Sequence, residues 1–447
     1  MNNLLKKRIL ISFLLVVPSL VFAEPIETGS MHAGLKSIGS DRPADIMENP
    51  GLLSFPTTSE KNGVLLRDTL NIYLGMVNPL FGGNRVSSYL TNSTSLGYAH
   101  FNRAKGKMSF GIFLHNNFQN VFEEMGYYLP LQSIIPSTMS VTDKSMSFEF
   151  TPVGVHGGLG ASLKLSASQS IGLSVLVSYL SLDYIRKSSM TFKETSGSLT
   201  GYSEEKNQSK LVRLKTGVIL GYVNHTREGD LTLSVQPFSY MQDTMNRNID
   251  YLYNYNGSDV DNITSKTKYK NAYMEPIKVQ LGVSQKIFPF MKVYLEGDLM
   301  TPMTIKYKTD ELDADSTGSN AQIITFNVKE KFDFSPTLKL GFAFILKNSF
   351  YINAGFSWFS GSKTLIYKNK NDKSDNVSQV YDSNNYEAQL GVSKLFIHRI
   401  LVYLSATYHY SKDIIQDNKY ISSTLYENEY ESYFSRIDIN AGAEFHF

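Results

Sequence analysis

Residues 436–447 read R-I-D-I-N-A-G-A-E-F-H-F, and the fold follows from this stretch. Every second residue is apolar, so an extended strand would have one apolar face and one polar or small-residue face. The apolar positions are Ile437, Ile439, Ala441, Ala443, Phe445 and Phe447. Strands of soluble proteins average about 5–6 residues, whereas this alternation runs through all twelve. The stretch therefore predicts the last strand of a transmembrane β-barrel, with one face towards lipid and the other towards water.

The same alternation recurs towards the N-terminus, in pairs of segments joined by tight turns. The turns are predicted at residues 397–399, 347–348, 288–289, 226–229, 166–168 and 105–107. Together with a first strand at 64–76 and the terminal strand, they predict an all-β, antiparallel barrel of about fourteen strands. An even number of strands places the beginning and the end of the barrel chain on the periplasmic side. A barrel of this size encloses a lumen unless something fills it.

Longer segments separate these pairs and are predicted to be extracellular loops. They cover residues 77–92, 119–147, 190–206, 248–270, 309–322, 368–384 and 411–431. Most are polar, but 119–147 is too apolar for a loop left in water. It either packs on the barrel rim and outer leaflet or captures a hydrophobic ligand. The candidate ligand-binding residues are Phe122, Met125, Tyr127, Tyr128, Leu129, Leu131, Ile134 and Ile135.

The N-terminal residues predict export. Residues 1–23 combine the basic Lys6, Lys7 and Arg8 with an apolar run and a small-residue cleavage site at Ala23, as a signal peptide does. No later run is long and apolar enough for a membrane-spanning helix. The 43 Lys and Arg less these three leader cations leave 40 against 41 Asp and Glu, which argues against a nucleic-acid partner. The chain is therefore predicted to lie in a bacterial outer membrane, in contact with its lipid.

Three regions follow from these patterns: the signal peptide at 1–23, an N-terminal plug at 24–63 and the barrel at 64–447. The plug is predicted because residues 24–63 carry little alternation and precede the first strand. Glycines in 154–160 lie within an alternating strand and are interpreted as room for a plug or a bend, not as a phosphate loop. Phe447 at the end of the last strand is expected to be recognised by the barrel-assembly machinery.

Charged residues at inward-facing positions predict a lumen of mixed sign. They are Lys164, Arg213, Lys215, Lys278, Lys292, Glu296, Asp298, Lys339, Glu387, Arg436, Asp438 and Glu444. Such a lumen suits either a plug held by hydrogen bonds or a water-filled pore, but not a strongly ion-selective one. The eight histidines show no metal-ligand spacing, there is no cysteine and no Gly-x-Ser-x-Gly motif occurs. The sequence therefore predicts no metal site, no cofactor and no enzymatic activity.

Two motifs resemble the FadL-type outer-membrane transporters of long-chain fatty acids and aromatic hydrocarbons. Asn49-Pro50-Gly51-Leu52, after the Ala/Gly-containing residues 33–45, resembles the Asn-Pro-Ala-Gly-Leu motif of that family's plug, without its alanine. Strands opening with a proline five or six residues before a glycine, at 276–282 and 336–341, are similar to that family's strand openings. The order of a plug and about fourteen strands also matches.

The resemblance implies passive transport of a hydrophobic compound. Ligand would be captured between extracellular loops, enter the barrel and leave sideways through a gap in the wall at the third strand, here 108–118. That stretch shows no sign of a kink. In the best-known fatty acid transporters of the family the long groove-forming loops follow the fifth and seventh strands, whereas the apolar loop here follows the third. Two alternatives remain open: a structural or secretion-accessory barrel of the same fold, and a general diffusion porin.

Overall fold

The chain folds as a closed antiparallel β-barrel preceded by a short 3-10 helix, Pro50–Ser54. This computed structural model describes residues 46–55, 61–78, 83–102, 104–118, 121–125, 139–194, 200–255, 258–313, 322–346, 350–369, 376–396, 400–421 and 424–446. Within these residues there is no helix with the length and apolarity that a membrane crossing requires.

In the described residues, eighteen strands form the wall. They are β1 (Asn62–Asn78), β2 (Gly83–His100), β3 (Met108–Phe118), β4 (Val121–Met125), β5 (Met139–Lys164), β6 (Gln169–Glu194), β7 (Thr200–His225), β8 (Gly229–Tyr255), β9 (Ser258–Met274), β10 (Lys278–Phe288), β11 (Met291–Met300), β12 (Met303–Asp313), β13 (Gln322–Phe332), β14 (Ser335–Leu346), β15 (Phe350–Asn369), β16 (Asn376–Phe396), β17 (Ile400–Ile421) and β18 (Thr424–His446). The barrel predicted from residue 64 onward thus has its first strand beginning at Asn62.

Four of these strands continue the strand before them instead of adding a new position. β3 and β4 keep one register along β5, where Phe118 lies opposite Val153 and Val121 opposite Phe150. β9 and β10 likewise share one register along β8. The β11–β14 and β12–β13 ladders form another continuous pair. Eighteen strands therefore occupy fourteen positions around the wall, which confirms the predicted barrel.

The barrel closes because β1 pairs with β2 on one side and with β18 on the other. Alternation then sorts the side chains, as the terminal stretch predicted. In β10, Leu281 and Val283 are exposed on the outer face, while Gln280 and Ser284 between them are buried on the inner face. Since an exposed apolar band around a barrel suits lipid and not water, the alternation gives the wall its membrane-facing surface.

The predicted tight turns that fall within the described residues lie at one end of the barrel, which we call the turn end. β5 and β6 are separated by residues 165–168, β7 and β8 by 226–228, and β10 and β11 by 289–290. Residues 104–107 form the turn before β3, where Gly106 has a φ of +71°, a left-handed conformation that glycine adopts without strain. The turns predicted at 347–348 and 397–399 fall outside the described residues, between strands that end at Leu346 and Phe396 and strands that begin at Phe350 and Ile400.

The predicted loops at the opposite end, the loop end, were mostly wrong in extent. Residues 200–206, 248–255 and 258–270 belong to β7, β8 and β9, and 411–421 and 424–431 belong to β17 and β18. Beyond the membrane both faces of a strand meet water, so the apolar alternation used to recognise strands disappears while the ladder continues. Within 119–147, residues 121–125 and 139–147 are strand.

The ladder is interrupted between β9 and β12. The β10–β11 ladder pairs Lys278 with Met300, and the Thr301 amide donates to the Ile277 carbonyl at 3.0 Å. Continuing this register puts Pro276 opposite Pro302, and neither has an N–H to donate. Beyond these prolines, no described ladder joins β9 to β12. Among the described ladders, β9 pairs with β8 alone and β12 pairs with β13 alone. We call this interruption the proline seam.

A second interruption lies beside the third strand. The β2–β3 ladder ends where Asn92 pairs with Phe118, although β2 extends to Gly83 along β1. β4 remains paired with β5, and in the described residues no ladder joins it to β2. We call this the β2/β4 seam. It lies at the strand for which the sequence resemblance implied a gap, although β3 itself is paired on both sides without a register shift.

The proline seam predicts a contrast in amide exchange. About half of the β9 amides point away from β8, because successive residues of an antiparallel strand donate to opposite sides. We expect these amides to exchange with deuterium in minutes, while those of β10 and β11 remain protected for hours. Hydrogen-exchange mass spectrometry of the barrel in detergent tests this. Equal protection of β9 and β10 would contradict the seam.

Candidate functional site in the barrel lumen

Residues 46–55, which we call the pre-barrel segment, lie against the inner wall. Asn49 caps the 3-10 helix, since its side-chain oxygen accepts from the Gly51 amide at 3.1 Å. Its amide nitrogen donates to the carbonyls of Tyr222 (3.4 Å) and Leu233 (3.3 Å) on β7 and β8. Asn49 is therefore both a local cap and an attachment to the wall, a role that no spacing in the sequence revealed.

The wall meets the segment with glycines. A β-carbon at Gly172 on β6 would lie 2.5 Å from the backbone nitrogen of Gly51, and one at Gly221 on β7 would lie 3.0 Å from it. Gly158 and Gly160 on β5 would similarly crowd Met47 and Ile46. These are the inward positions, because Leu159, Leu173 and Leu220 beside them are exposed on the outer face. The glycines of 154–160 thus leave room for this segment.

Hydrogen bonds and ring contacts complete the attachment. The Ser170 hydroxyl donates to the Gly51 carbonyl at 2.7 Å, and the hydroxyls of Ser54 and Ser162 are hydrogen-bonded. Phe55 stacks on His225 with ring centroids 5.0 Å apart, and the Lys164 ammonium lies 4.8 Å from the Phe55 centroid. All these wall residues are close to the turns, so the segment occupies the turn end of the lumen.

An apolar cluster connects the segment to the wall. It consists of Ile46, Met47, Leu53, Leu65, Ala99, Phe101, Phe113, Leu176 and Ile219. Ile46, Leu53 and Phe113 are almost completely buried. Burying such side chains contributes about 1.5–3 kcal/mol each. The cluster therefore supplies much of the free energy that keeps the segment in place.

A buried charge cluster lies on β10, β11 and β14. The Lys339 ammonium donates to Glu296 at 2.6 Å and lies 3.0 Å from an Asp298 carboxylate oxygen. Gln280 donates to Glu296 at 3.1 Å and accepts from the Ser234 hydroxyl at 2.9 Å. Because Glu296 is fully buried, both its charge and its hydrogen-bonding capacity depend on these partners.

Other inward charges are also paired. Asp230 accepts from Lys292 at 2.9 Å and from Ser284 at 3.0 Å. Arg213 makes a two-pronged contact with Asp243 at 2.8 and 3.0 Å. Further pairs among the described residues include Lys215–Glu275, Lys278–Asp298, His225–Asp230 and Glu387–His409. The predicted mixed-sign lumen is confirmed for these residues, whereas the side chains of Arg436, Asp438 and Glu444 lie outside the description.

The predicted ligand-binding residues are only partly described. Phe122 and Met125 lie in β4, which pairs with β5. Tyr127, Tyr128, Leu129, Leu131, Ile134 and Ile135 lie outside the described residues. The plug motif, in contrast, is placed completely: Asn49, Pro50, Gly51 and Leu52 are all buried. In the described part of the chain, no group of three His, Asp or Glu side chains could hold a metal ion.

Sequence reasoning missed the partners of the plug motif. Gly172, Gly221, Ser162 and Ser170 lie on three strands and only meet the segment once the barrel has closed. A signal did exist, because inward positions of β5 and β6 near the turn are small residues one after another. The alternation of side chains along a strand predicted which residues face the lumen. It could not predict which strands the segment would contact.

Comparison with known proteins supports the fold. No protein-family model and no curated protein sequence matches this chain. Its structure is similar to the Pseudomonas putida toluene transporter TodX, with a TM-score of 0.58 and 12% identity over 93% of this chain and 97% of that one. A Pseudomonas aeruginosa FadL homologue gives 0.55 and 11%, over 92% and 95%. The Ralstonia pickettii toluene transporter TbuX gives 0.51 and 13%, over 93% and 97%.

The glycine contacts predict how the segment can be displaced. In Gly172→Ala the new methyl group would overlap the backbone of Pro50 and Gly51, which cannot move as a flexible side chain could. We expect an intact barrel with a loosened segment that proteinase K cleaves about tenfold faster. Gly217→Ala on β7 is the matched control, since its β-carbon would make an ordinary 3.4 Å contact. Equal cleavage of both variants would contradict this account of the wall.

The charge cluster predicts a large difference between two lysines. Lys339→Met leaves Glu296 and Asp298 without their buried cation and should lower the free energy of unfolding by about 3–5 kcal/mol. Lys278→Met should cost about 0–1 kcal/mol, because that side chain is 38% exposed and 3.9 Å from Asp298. Urea unfolding of the barrel in lipid vesicles measures both. Similar losses would mean that the cluster does not depend on Lys339.

Proposed function

We propose that this chain, which has the fold of the FadL-type outer-membrane channels, carries hydrophobic compounds passively across a Gram-negative outer membrane. Long-chain fatty acids or similarly apolar molecules are the proposed substrate class. The observation that supports the proposal most directly is the pre-barrel segment, bound against the inner wall of a fourteen-position barrel by hydrogen bonds and an apolar cluster. Outside the membrane such a molecule must cross a polar saccharide layer, and a protein path spares it from bulk water.

The pre-barrel segment would serve as the plug. Its hydrogen bonds to the wall come mainly from Asn49, Gly51 and Ser54, and each is worth about 0.5–1.5 kcal/mol net. Glycines on β5, β6 and β7 let the backbone of the segment approach the wall closely, while its apolar side chains pack in the cluster around Phe113. A small displacement could therefore open the turn end of the lumen without disturbing the ladder of the wall.

Capture would begin at the loop end, with the apolar residues of 119–147. Phe122, Met125, Tyr127, Tyr128, Leu129, Leu131, Ile134 and Ile135 are the proposed ligand contacts. Their apolar character in a segment that leaves the membrane supports this role, because such a surface is unfavourable in water. Ligand would then be the partner that covers it.

Release would be lateral, through an interruption of the wall. The β2/β4 seam supports an exit beside the third strand, because backbone groups that lack a ladder can separate without breaking hydrogen bonds of the barrel. The proline seam offers a second possible route on the other side of the wall. Surrounding outer-membrane lipid would receive the compound, and recognition by the assembly machinery through Phe447 is proposed as the way the chain reaches that membrane.

Uptake measurements test transport. We expect radiolabelled oleate to enter cells or proteoliposomes faster with the protein than without it, and deletion of 125–136 to abolish the difference. Asn49→Ala should raise leak conductance in planar bilayers, since it removes the attachment to Tyr222 and Leu233. Asn102→Ala, at an exposed turn, is the control and should change neither. Uptake that does not depend on the protein at all would refute the transport proposal.

The same bilayers separate the alternatives. Large conductance of the wild-type protein without ligand would favour a diffusion porin, and a stable stoichiometric partner in pull-downs from membranes would favour a secretion-accessory barrel.

Since the natural chain has no cysteine, introduced pairs can be bridged with a bismaleimide without side reactions. Bridging Met274→Cys to Thr304→Cys across the proline seam, compared with Val283→Cys to Leu295→Cys within the β10–β11 ladder, tests whether this seam is the exit.

A further inference from the structure

Eight lysines form a band on the outer face of neighbouring strands, near the loop end. They are Lys266, Lys268 and Lys270 on β9, Lys306 and Lys308 on β12, Lys329 and Lys331 on β13, and Lys368 on β15. Seven are exposed and Lys329 is half-buried. We call this set the lysine belt.

The lysines point outward because the residues between them point inward. Tyr273 on β9 donates its hydroxyl proton to Asp243 at 3.1 Å, across the lumen side of β8. Tyr307 on β12 donates to the buried Glu330 of β13 at 3.0 Å. Side chains alternate between the two faces of a strand. Each lysine of β9, β12 and β13 lies an odd number of residues from the inward side chain on its own strand, so it lies on the outer face. They take no part in the paired charges of the lumen.

The belt carries one sign of charge. Among the outward residues of β9, β12 and β13 whose side chains are described, the others are Thr264, Ala272, Met274, Thr304, Thr325 and Asn327, none of them acidic. On β8 the residues opposite Lys266, Lys268 and Lys270 are Asn248, Asn246 and Thr244. Two exposed carboxylates lie at the edges of the belt: Asp250, opposite Thr264, and Asp333, two residues beyond Lys331. Elsewhere on the outer face the signs mix, as in the Lys210–Asp183 ion pair at 3.5 Å between β7 and β6.

Cross-strand pairing places some of these charges directly side by side. Lys306 lies opposite Lys329 in the β12–β13 ladder. Lys308 and Lys368 lie on either side of Asn327, each opposite it in its own ladder. Like charges opposite one another destabilise a sheet. An arrangement that repeats such contacts is best explained by an anion that the lysines share.

The position of the belt identifies where that anion lies. Directly towards the turn end, the outer face becomes apolar: Ala272 and Met274 follow Lys270, and Ile277 and Leu281 continue the line into β10. Exposed Leu338 and Leu340 do the same on β14. Residues along a strand are about 3.3 Å apart, so the lysines begin within a few ångströms of the lipid-facing band. This is the level of the lipid headgroups.

We propose that the lysine belt binds the phosphate groups of the phosphorylated glycolipid that forms the outer leaflet of the membrane. Lysine ammonium groups act as point charges for phosphate, and clusters of four to eight of them beside a membrane attract anionic lipid. The glycolipid phosphates relieve the repulsion within the belt, and its acyl chains cover the apolar residues below. The proposal requires an outer-membrane location but not transport.

Direct binding tests the proposal. Lipid A with two phosphates is titrated into the full-length protein in detergent, and the bound fraction is read by native mass spectrometry. We expect Lys266→Gln/Lys268→Gln/Lys306→Gln/Lys308→Gln to weaken binding about tenfold or more. The matched control, Lys105→Gln/Lys107→Gln/Lys286→Gln/Lys394→Gln, removes four charges at the turn end and should bind as the wild type does. Dephosphorylated lipid A should bind equally weakly to all three proteins.

Other outcomes overturn the proposal. Equal affinity of the belt variant and the control, or no dependence on phosphorylation, would show that the belt does not recognise glycolipid phosphate. Displacement by inorganic phosphate beyond that by sodium chloride of matched ionic strength would indicate a site for free phosphate instead. Lysines also protect unpaired strand edges from association, so a belt variant that oligomerises while keeping its affinity would assign the belt to that role.

Two further measurements keep the test decisive. Should the fourfold variant not fold, judged by its heat-modifiable mobility on a gel, Lys266→Gln/Lys306→Gln is used in its place and should weaken binding about threefold. Binding by the wild type should also weaken as salt is raised from 0.05 to 0.5 M, because exposed charges are screened. Binding that ignores salt would contradict an electrostatic contact. Oleate uptake by the same variants stays at the wild-type level, which separates this proposal from transport.

Discussion

Every backbone N–H and C=O group within the membrane needs a partner inside the chain, because lipid tails offer none. The pairing of β1 with both β2 and β18 meets this need by leaving no free edge at the turn end. Where Pro276 interrupts a ladder, nearby groups replace the missing bonds: the Glu275 amide donates to the Ser239 carbonyl and the Ile277 amide to the Thr301 hydroxyl. In the described part of the wall, neighbouring strands lack a ladder at the β2/β4 seam and at the proline seam.

Closure also determines what the lumen can contain. Once the outer face is apolar, the charges of β10, β11 and β14 must point inward, and burial forces them to pair with one another. The pre-barrel segment binds where the wall has few side chains, along Gly158, Gly172 and Gly221. A charged region and a glycine-lined region therefore lie in one barrel.

Much of this fold could be predicted from the sequence, for a physical reason. In the membrane the two faces of a strand meet lipid and water, so residues such as Leu281 and Gln280 differ sharply and mark the strand. Tight turns such as 226–228 were equally visible. The long outer hairpins were not, because both faces of β7 and β8 beyond the membrane meet water. Alternation of apolar and polar residues reflects the difference between lipid on one face of the strand and water on the other. It does not mark a strand where both faces meet water.

The candidate site was harder to predict, because its parts are distant in the chain. Asn49 and Leu233 are 184 residues apart, and only closure of the barrel brings them together. The proline-to-glycine strand openings illustrate the same limit. The spacing at 276–282 marked where a strand begins, but the register that puts Pro276 opposite Pro302 exists only in the ladder.

One residue type shows how completely the face of a strand decides function. Lys339 and Lys306 both lie within ladders of the same wall, yet Lys339 points inward and is neutralised by Glu296 and Asp298. Lys306 points outward and lies opposite Lys329, without a carboxylate on the described outer face of its strand. The inward lysine finds its counter-charge inside the chain during folding. The outward one has to find it outside, and at that height the membrane itself is the source of negative charge.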